Sequence, residues 1–223
     1  MPDRANFPVP PKAVIFDIGR VIVRLDLKRA LEPLGAASPN RGNSGAAAGL
    51  TPEEIWSAIL ADPRWVDWQE GRMTPRAWHE HLTGRLHITL GFEEFCTAWI
   101  RALDPQTILS DELFETLSVR SRLGLLSNTD PIHAAHLERH FSFVRHFPAR
   151  IYSNAVGASK PSPAIYHAAL RALAVAPPEA LYIDDIEEYA EAARQLGMDA
   201  IRFENPTQLH AELARRGLLK TNS

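Results

Sequence analysis

The run Ala13-Val14-Ile15-Phe16-Asp17-Ile18-Gly19 sets apolar, β-branched and aromatic residues directly before a carboxylate and a glycine. So short an apolar run reads as a buried strand, and its polar end reads as a strand tip that points into solvent. Related runs follow: Val21-Ile-Val23 directly after it, then Leu123-Gly-Leu-Leu-Ser127, Arg150-Ile-Tyr-Ser153, Leu181-Tyr-Ile-Asp184 and Ala200-Ile-Arg-Phe203. Helical patterns separate the later runs: Asp130-Pro131 to about His140, Pro163 to Ala174, Glu187 to Leu196 ended by Gly197, and a last helix after Asn205-Pro206. Strands alternating with helices predict an α/β fold, a Rossmann-like parallel sheet with helices on both faces. In such sheets function collects at the carboxyl ends of the strands.

From about Leu27 to Leu103 the pattern is helical instead, as in Pro52–Leu60, Pro75–Leu82 and Phe92–Ile100. Thr51 and Thr74 precede prolines and fit N-caps with Pro at the first helical position. Trp56, Trp65, Trp68, Trp78 and Trp99 all fall in this stretch, while every tyrosine lies after residue 150. We therefore expect a core domain from residues 1–26 and 104–223, and an inserted all-helical domain from residues 27–103. The first dozen residues, with Pro2, Pro8, Pro10 and Pro11, read as an extended leader, and Ala36 to Gly49 as a low-complexity loop.

Composition excludes several classes. The 223 residues are 45% hydrophobic, enough to bury a sizeable core. With 24 basic and 27 acidic side chains the net charge is −3, unlike a strongly basic nucleic-acid binder. A single cysteine, Cys96, rules out an internal disulfide framework and a multi-cysteine metal site, and is expected to pack in an apolar helix. No apolar run reaches the roughly 18 residues of a membrane helix, and MPDRANFPVPPK lacks a secretory apolar region. The expectation is a soluble cytoplasmic protein, monomer or homodimer, without nucleic-acid or membrane partners.

Asp17, Ser127-Asn128 and Asp184-Asp185 each end a predicted strand, and Lys160 lies in Gly157-Ala-Ser-Lys-Pro161 ahead of a helix. If the strands are neighbours, these groups converge. Clustered carboxylates repel unless a cation lies among them, and hard oxygen donors favour Mg²⁺. A lysine and a hydroxyl beside them suit an anion carrying several oxygens. A carboxylate facing a phosphoryl group can attack it to form an aspartyl-phosphate.

The order Val14-Ile-Phe-Asp17, Leu125-Leu-Ser-Asn128, Ser159-Lys-Pro161 and Tyr182-Ile-Asp-Asp185 resembles the haloacid dehalogenase superfamily, over residues 13 to about 215. The helical insert after the first motif looks like that superfamily's cap. The branch it resembles is phosphatases with an FD-x-G start, similar to bacterial glucose-1-phosphate phosphatases and the phosphatase domain of soluble epoxide hydrolases. The resemblance implies a Mg²⁺-dependent phosphatase acting on a small phosphorylated metabolite, a sugar phosphate among the candidates. It assigns Asp17 as nucleophile and metal ligand, Ser127 and Asn128 as phosphate binders, and Lys160 as the phosphate-orienting cation. Asp185 is the implied Mg²⁺ ligand, with Asp184 beside it on the metal or supporting it, and the Gly19 carbonyl a further ligand. The cap would close over the substrate and choose it.

Three positions depart from that pattern. Gly19 stands where most members carry a second aspartate, the general acid and base, whose loss typically costs about 10²–10⁴-fold. The penalty shrinks for sugar-1-phosphates, acyl phosphates and phenols, whose leaving groups tolerate charge, and the resembling branch also has glycine here. Arg20 replaces a small or amide residue, and either contacts the phosphate or crowds the site. Tyr189 stands where many members have another aspartate supporting the metal. Two alternatives follow: a metal-independent 2-haloacid dehalogenase, in which Asp184-Asp185 would be repulsive and without a task, and an impaired binding protein. A receiver domain is disfavoured by the insert and the motif order. His133, His136 and His140 share a helix face without an evident carboxylate partner, and read as surface or packing residues rather than a metal site. Glu70-Gly71-Arg72 reads as a turn by default, with Arg72 placed so that it could reach an anionic substrate from the insert. The tryptophans read as core of the insert, with one or two at the substrate entrance.

Overall fold

The computed structural model describes residues 10–39 and 49–220. The leader and the low-complexity loop expected from the sequence fall largely outside these residues. In chain order the elements are β1 (Ala13–Phe16), β2 (Val23–Leu25), α1 (Leu27–Ala36), α2 (Pro52–Leu60), α3 (Trp65–Gln69), α4 (Pro75–Leu86), α5 (Phe92–Trp99) and β3 (Leu103–Thr107). They continue as α6 (Asp111–Ser118), β4 (Arg122–Ser127), α7 (Pro131–His140), β5 (Ala149–Tyr152), α8 (Ser153–Val156) and α9 (Pro163–Leu173). The last four are β6 (Ala180–Asp184), α10 (Glu187–Gln195), β7 (Asp199–Arg202) and α11 (Pro206–Arg215).

β1 occupies the centre of a five-stranded parallel sheet in the order β5-β4-β1-β6-β7. Alternation along the strands gives each face its own core. Val14, Phe16, Leu125 and Ile183 pack with Leu113, Phe114, Leu137, Leu209 and Leu213 of α6, α7 and α11. Ala13, Ile15, Leu126 and Tyr182 pack with Ile165, Leu170 and Ala190 of α9 and α10 on the other face. Gly124 lets Leu173 approach, since a Cβ there would stand 2.9 Å from Leu173 Cδ1. Register places Phe16 beside both Leu125 and Ile183, so Asp17, Ser127 and Asp184 reach the same edge. The chain visits β4 and β5 on one side of β1 before crossing to β6 and β7, and ligands of doubly wound sheets bind at such a reversal.

Helices α1 to α5 share a separate apolar cluster that includes Leu34, Ile55, Ile59, Leu82 and Phe95, with Trp68, Trp78 and Trp99 buried in it and Trp56 and Trp65 packed at its edge. Trp68 and Trp78 stack at 5.6 Å between ring centroids and are fully buried. Thr51 and Thr74 do cap α2 and α4, accepting from the N–H groups of Glu54 and Ala77. The chain enters and leaves this insert through an antiparallel ribbon of β2 and β3, with Leu25 opposite Leu103. Here the structure departs from the sequence reading. The extended piece expected at Val21–Val23 begins only at Val23, because Ile22 and Val23 both donate to the Ile18 carbonyl and close a turn. Strand β3 spans the expected boundary at residue 103, and Ser153, expected in a strand, opens α8. Among the described residues no helix is long and apolar enough to cross a membrane.

The insert rests on the core at Gly71. Its φ is +71°, and a Cβ there would lie 2.0 Å from the Asn154 carbonyl oxygen. Beside it the buried Ser153 hydroxyl accepts from the Thr129 N–H (2.9 Å) and donates to the Gln69 carbonyl (2.7 Å).

Candidate active site

Asp17 follows β1 directly, and its N–H donates to the Ile183 carbonyl at 2.9 Å, extending the pairing of β1 with β6 by one residue. Asp184 ends β6. The loop from α8 to α9 swings Lys160 between them, and its Nζ donates to Asp17 Oδ1 and to Asp184 Oδ2, both at 2.7 Å. All three side chains are almost completely buried. Asp184 also accepts from the Tyr182 hydroxyl and, at Oδ1, from the Ile186 N–H at 2.8 Å. Tyr189 sets its ring 4.9 Å from the Lys160 ammonium, a cation–π distance.

The charges explain the arrangement. Ligand oxygens of Asp17, Asp184 and Asp185 lie within 4.8 Å of one another. Burial pushes the Asp17 carboxyl up to about 7, against the pull of Lys160 and with the help of Asp184. Burial also opposes the Lys160 charge, but Asp17 and Asp184 outweigh it and hold the ammonium protonated. Three carboxylates facing one buried ammonium leave room for further positive charge, and a set of hard oxygen donors at this spacing fits Mg²⁺.

Arg20 contributes to that balance differently from either expectation. Its Nε pairs with Asp185 Oδ2 at 2.7 Å. The backbone there is left-handed, φ 61°, a conformation that costs a non-glycine residue roughly 1 kcal/mol, and the Arg20 N–H bonds the Val23 carbonyl at 2.7 Å. Asn128 likewise has a use that its position after β4 did not reveal. Its Oδ1 accepts from the Lys160 N–H at 2.8 Å and its Nδ2 donates to the Lys160 carbonyl at 3.1 Å. The side chain clamps the backbone of the lysine loop. Ser127 ends β4, buried, and both it and Asn128 border a cavity.

That cavity, of about 150 Å³, lies between the sheet edge and the insert. Ile18, Gly19, Ser127 and Asn128 form its core side, and Trp56, Trp65 and Trp99 face it from the insert. Arg72, expected to reach an anionic substrate, is not among the lining residues. It is held instead by Asp67, at 2.6 Å, and by Glu70.

A second polar cluster joins insert and core. His133 Nδ1 lies 2.7 Å from Asp130 Oδ2, and its Nε2 lies 2.9 Å from the Trp99 carbonyl. Trp99 Nε1 donates to the same carboxylate oxygen at 3.0 Å, and the Trp99 and His133 rings stack. Since both imidazole nitrogens face acceptors, only the imidazolium satisfies both. Burial disfavours that charge, yet Asp130 overcomes it and raises the His133 pKa. Burial likewise opposes the Asp130 charge, and His133 with the Trp99 and backbone donors holds its carboxyl below the ordinary range. The sequence reading found no carboxylate for His133. The signal was Asp130, three residues earlier, which also caps α7. The rings of His136 and His140 lie 4.6 Å apart at a tilt of 34°.

A sequence model of the haloacid dehalogenase-like hydrolases matches residues 11–197. Solved structures share the fold. A haloacid dehalogenase family enzyme of Bacteroides thetaiotaomicron, in complex with magnesium and inorganic phosphate, superposes with a TM-score of 0.72 at 22% identity, covering 89% of this chain and 98% of that one. A predicted HAD-like family hydrolase of Porphyromonas gingivalis gives 0.73 at 21% identity, over 96% of this chain and 100% of its own. The L-2-haloacid dehalogenase of Xanthobacter autotrophicus, with chloropropionic acid covalently bound, gives 0.59 at 20% identity, over 92% and 82%.

Proposed function

We propose that this chain, which belongs to the haloacid dehalogenase-like hydrolases, is a Mg²⁺-dependent phosphatase that acts through Asp17 on a small phosphate monoester. The observation that carries the reading is the gathering of Asp17, Asp184 and Asp185 at one sheet edge around the Lys160 ammonium. A nucleophilic carboxylate needs one cation, and three carboxylates carry more negative charge than the Lys160 ammonium and the exposed Arg20 guanidinium on Asp185 neutralise. That surplus of negative charge favours the phosphatase over the metal-independent dehalogenase. The complex of the Bacteroides relative with magnesium and inorganic phosphate supports the same direction. One cysteine in 223 residues supports a cytoplasmic setting.

In this reading Asp17, Asp185 and the Gly19 carbonyl hold Mg²⁺, with Asp184 beside them. The bound ion supplies charge neutralisation and polarises a phosphoryl oxygen. An oxygen of Asp17 attacks phosphorus in line, forming the O–P bond as the bond to the leaving oxygen breaks and that oxygen keeps the electron pair. Water then hydrolyses the aspartyl-phosphate and returns the free carboxylate. Lys160, fixed by Asp184 and by the Asn128 clamp, neutralises charge on the equatorial oxygens, and Ser127 donates to one of them. The helices of residues 27–103 act as the cap that shields the site from water.

The test is phosphate release from a panel including 4-nitrophenyl phosphate, with Mg²⁺ and with chelator, beside Asp17→Asn. Release that needs Mg²⁺ and falls to background in the folded variant is expected. Turnover retained by Asp17→Asn would refute the covalent mechanism.

A further inference from the structure

We propose that the substrate is an aryl phosphate whose leaving group is a single apolar ring. This deepens the phosphatase reading and rests on it. The cavity that opens from the reacting edge is walled by Leu31, Trp56, Trp65, Trp99, Leu103 and Leu137, in addition to Ile18 and Gly19. No lysine or arginine stands among the described residues that line it. Two of its ionisable groups, Asp130 and His133, are already bonded to one another. The space, about 150 Å³, is what an apolar cavity needs to hold one benzene ring. A hexose of similar bulk would find side-chain partners at Gln69, Ser127, Asn128 and Thr129, but its hydroxyls toward the tryptophan and leucine walls would lose their water partners without replacement.

The chemistry at Gly19 points the same way. Without a carboxyl group two residues after Asp17, the geometry offers no acid there to protonate the departing oxygen. As the Asp17 O–P bond forms and the ester P–O bond breaks, the electron pair leaves on oxygen, and the proton comes afterwards from solvent. A phenol, with a pKa near 10, carries that pair far more readily than an alkanol, whose pKa is close to the roughly 16 of water. The wall selects a ring, and the missing acid selects a ring attached directly through oxygen. Of the sugar phosphates implied by the family resemblance, only a sugar-1-phosphate eases the second condition, and none meets the first.

Two measurements on the whole protein with Mg²⁺ test this. By titration calorimetry, phenylphosphonate is expected to bind at least about tenfold tighter than methylphosphonate. Trp56→Ala, with its melting temperature checked, is expected to remove most of that preference. In turnover, phenyl phosphate is expected to exceed glucose 1-phosphate and glucose 6-phosphate in kcat/KM by at least about 100-fold. Benzyl phosphate, with the same ring on an alkanol oxygen, should match phenyl phosphate in KM and fall about 100-fold or more in kcat. Equal affinity for the two phosphonates, or sugar phosphates hydrolysed as well as phenyl phosphate, overturns the proposal while leaving a phosphatase. Selective binding of phenylphosphonate by a protein that hydrolyses no ester overturns the phosphatase reading, and with it the aryl phosphate, leaving only a ring-binding cavity.

Discussion

Gly19→Asp restores a carboxyl group where the site lacks one, and the structure sets the size of the effect. A Cβ at Gly19 would meet Leu25 Cδ1 at 3.0 Å and Leu25 Cγ at 3.6 Å. Leu25 is 41% exposed, so its tip can swing outward, and the Gly19 backbone is not left-handed. The folding cost should therefore stay below about 1 kcal/mol. A positioned acid is worth about 10²–10⁴-fold for an alkyl leaving group, or about 3–5 kcal/mol of barrier. For 4-nitrophenolate, which departs without a proton, the gain should be close to nothing. The assay compares kcat for benzyl phosphate and 4-nitrophenyl phosphate in the two proteins. The ratio between the esters is expected to change by about 100-fold or more. An equal factor for both esters, in a variant that melts like the parent, would refute the reasoning.

Arg20→Gln frees Asp185 from its guanidinium, and calorimetry should show Mg²⁺ binding tightened by up to about fivefold, the worth of a half-exposed ion pair; unchanged or weaker binding would contradict the assignment of Asp185 as a ligand. Gly71→Ala puts a Cβ 2.0 Å from the Asn154 carbonyl oxygen at a φ of +71°, and should lower Tm by about 2–8 °C, from roughly 1–2 kcal/mol of backbone strain and the displaced contact. A melting curve within a degree of the parent's would mean that insert and core meet less closely than here. The His133–Asp130 pair predicts a pH window. The raised His133 pKa gives stability that is complete below the unfolded value of 6.5 and is lost as pH climbs through the folded one. The lowered Asp130 pKa gives stability that is complete above 3.8 and is lost as pH falls through its folded value. The excess stability of the parent over His133→Gln, measured by urea unfolding, should thus be fullest between about pH 4 and 6.5 and decline above it. An excess that grows from pH 6.5 to 8 would show that His133 is folded in its neutral form.

The parallel sheet was legible because its strands are apolar runs between helices with ordinary caps, and Asp17, Lys160 and Asp184 were legible because each stands at the end of such a run or in a fixed motif order. Their meeting at 2.7 Å needed the strand order, which no local pattern carries. Strand β3 was hidden because Asp104-Pro105-Gln106 has no apolar alternation, and its pairing with β2 is long-range. Asn128 after a strand end reads like a ligand for the substrate, and its clamp on Lys160 depends on a loop thirty-two residues away. The turn at Glu70-Gly71-Arg72 was legible, whereas the hold of Asp67 and Glu70 on Arg72, which keeps it from the cavity, was not. Which tryptophans face the cavity depends on how helices α2, α3 and α5 pack, and that packing is decided by shape rather than by pattern.

The ribbon of β2 and β3 also bears on how such a molecule can diversify. Because Leu25 lies opposite Leu103, the segment between them begins and ends at neighbouring points. Everything from residue 26 to residue 102 can be excised and a foreign segment grafted in without stretching any strand of the sheet. Such an exchange would replace the Trp56, Trp65 and Trp99 side of the cavity, while Ile18, Gly19 and Leu137 on its other side would stay with the sheet.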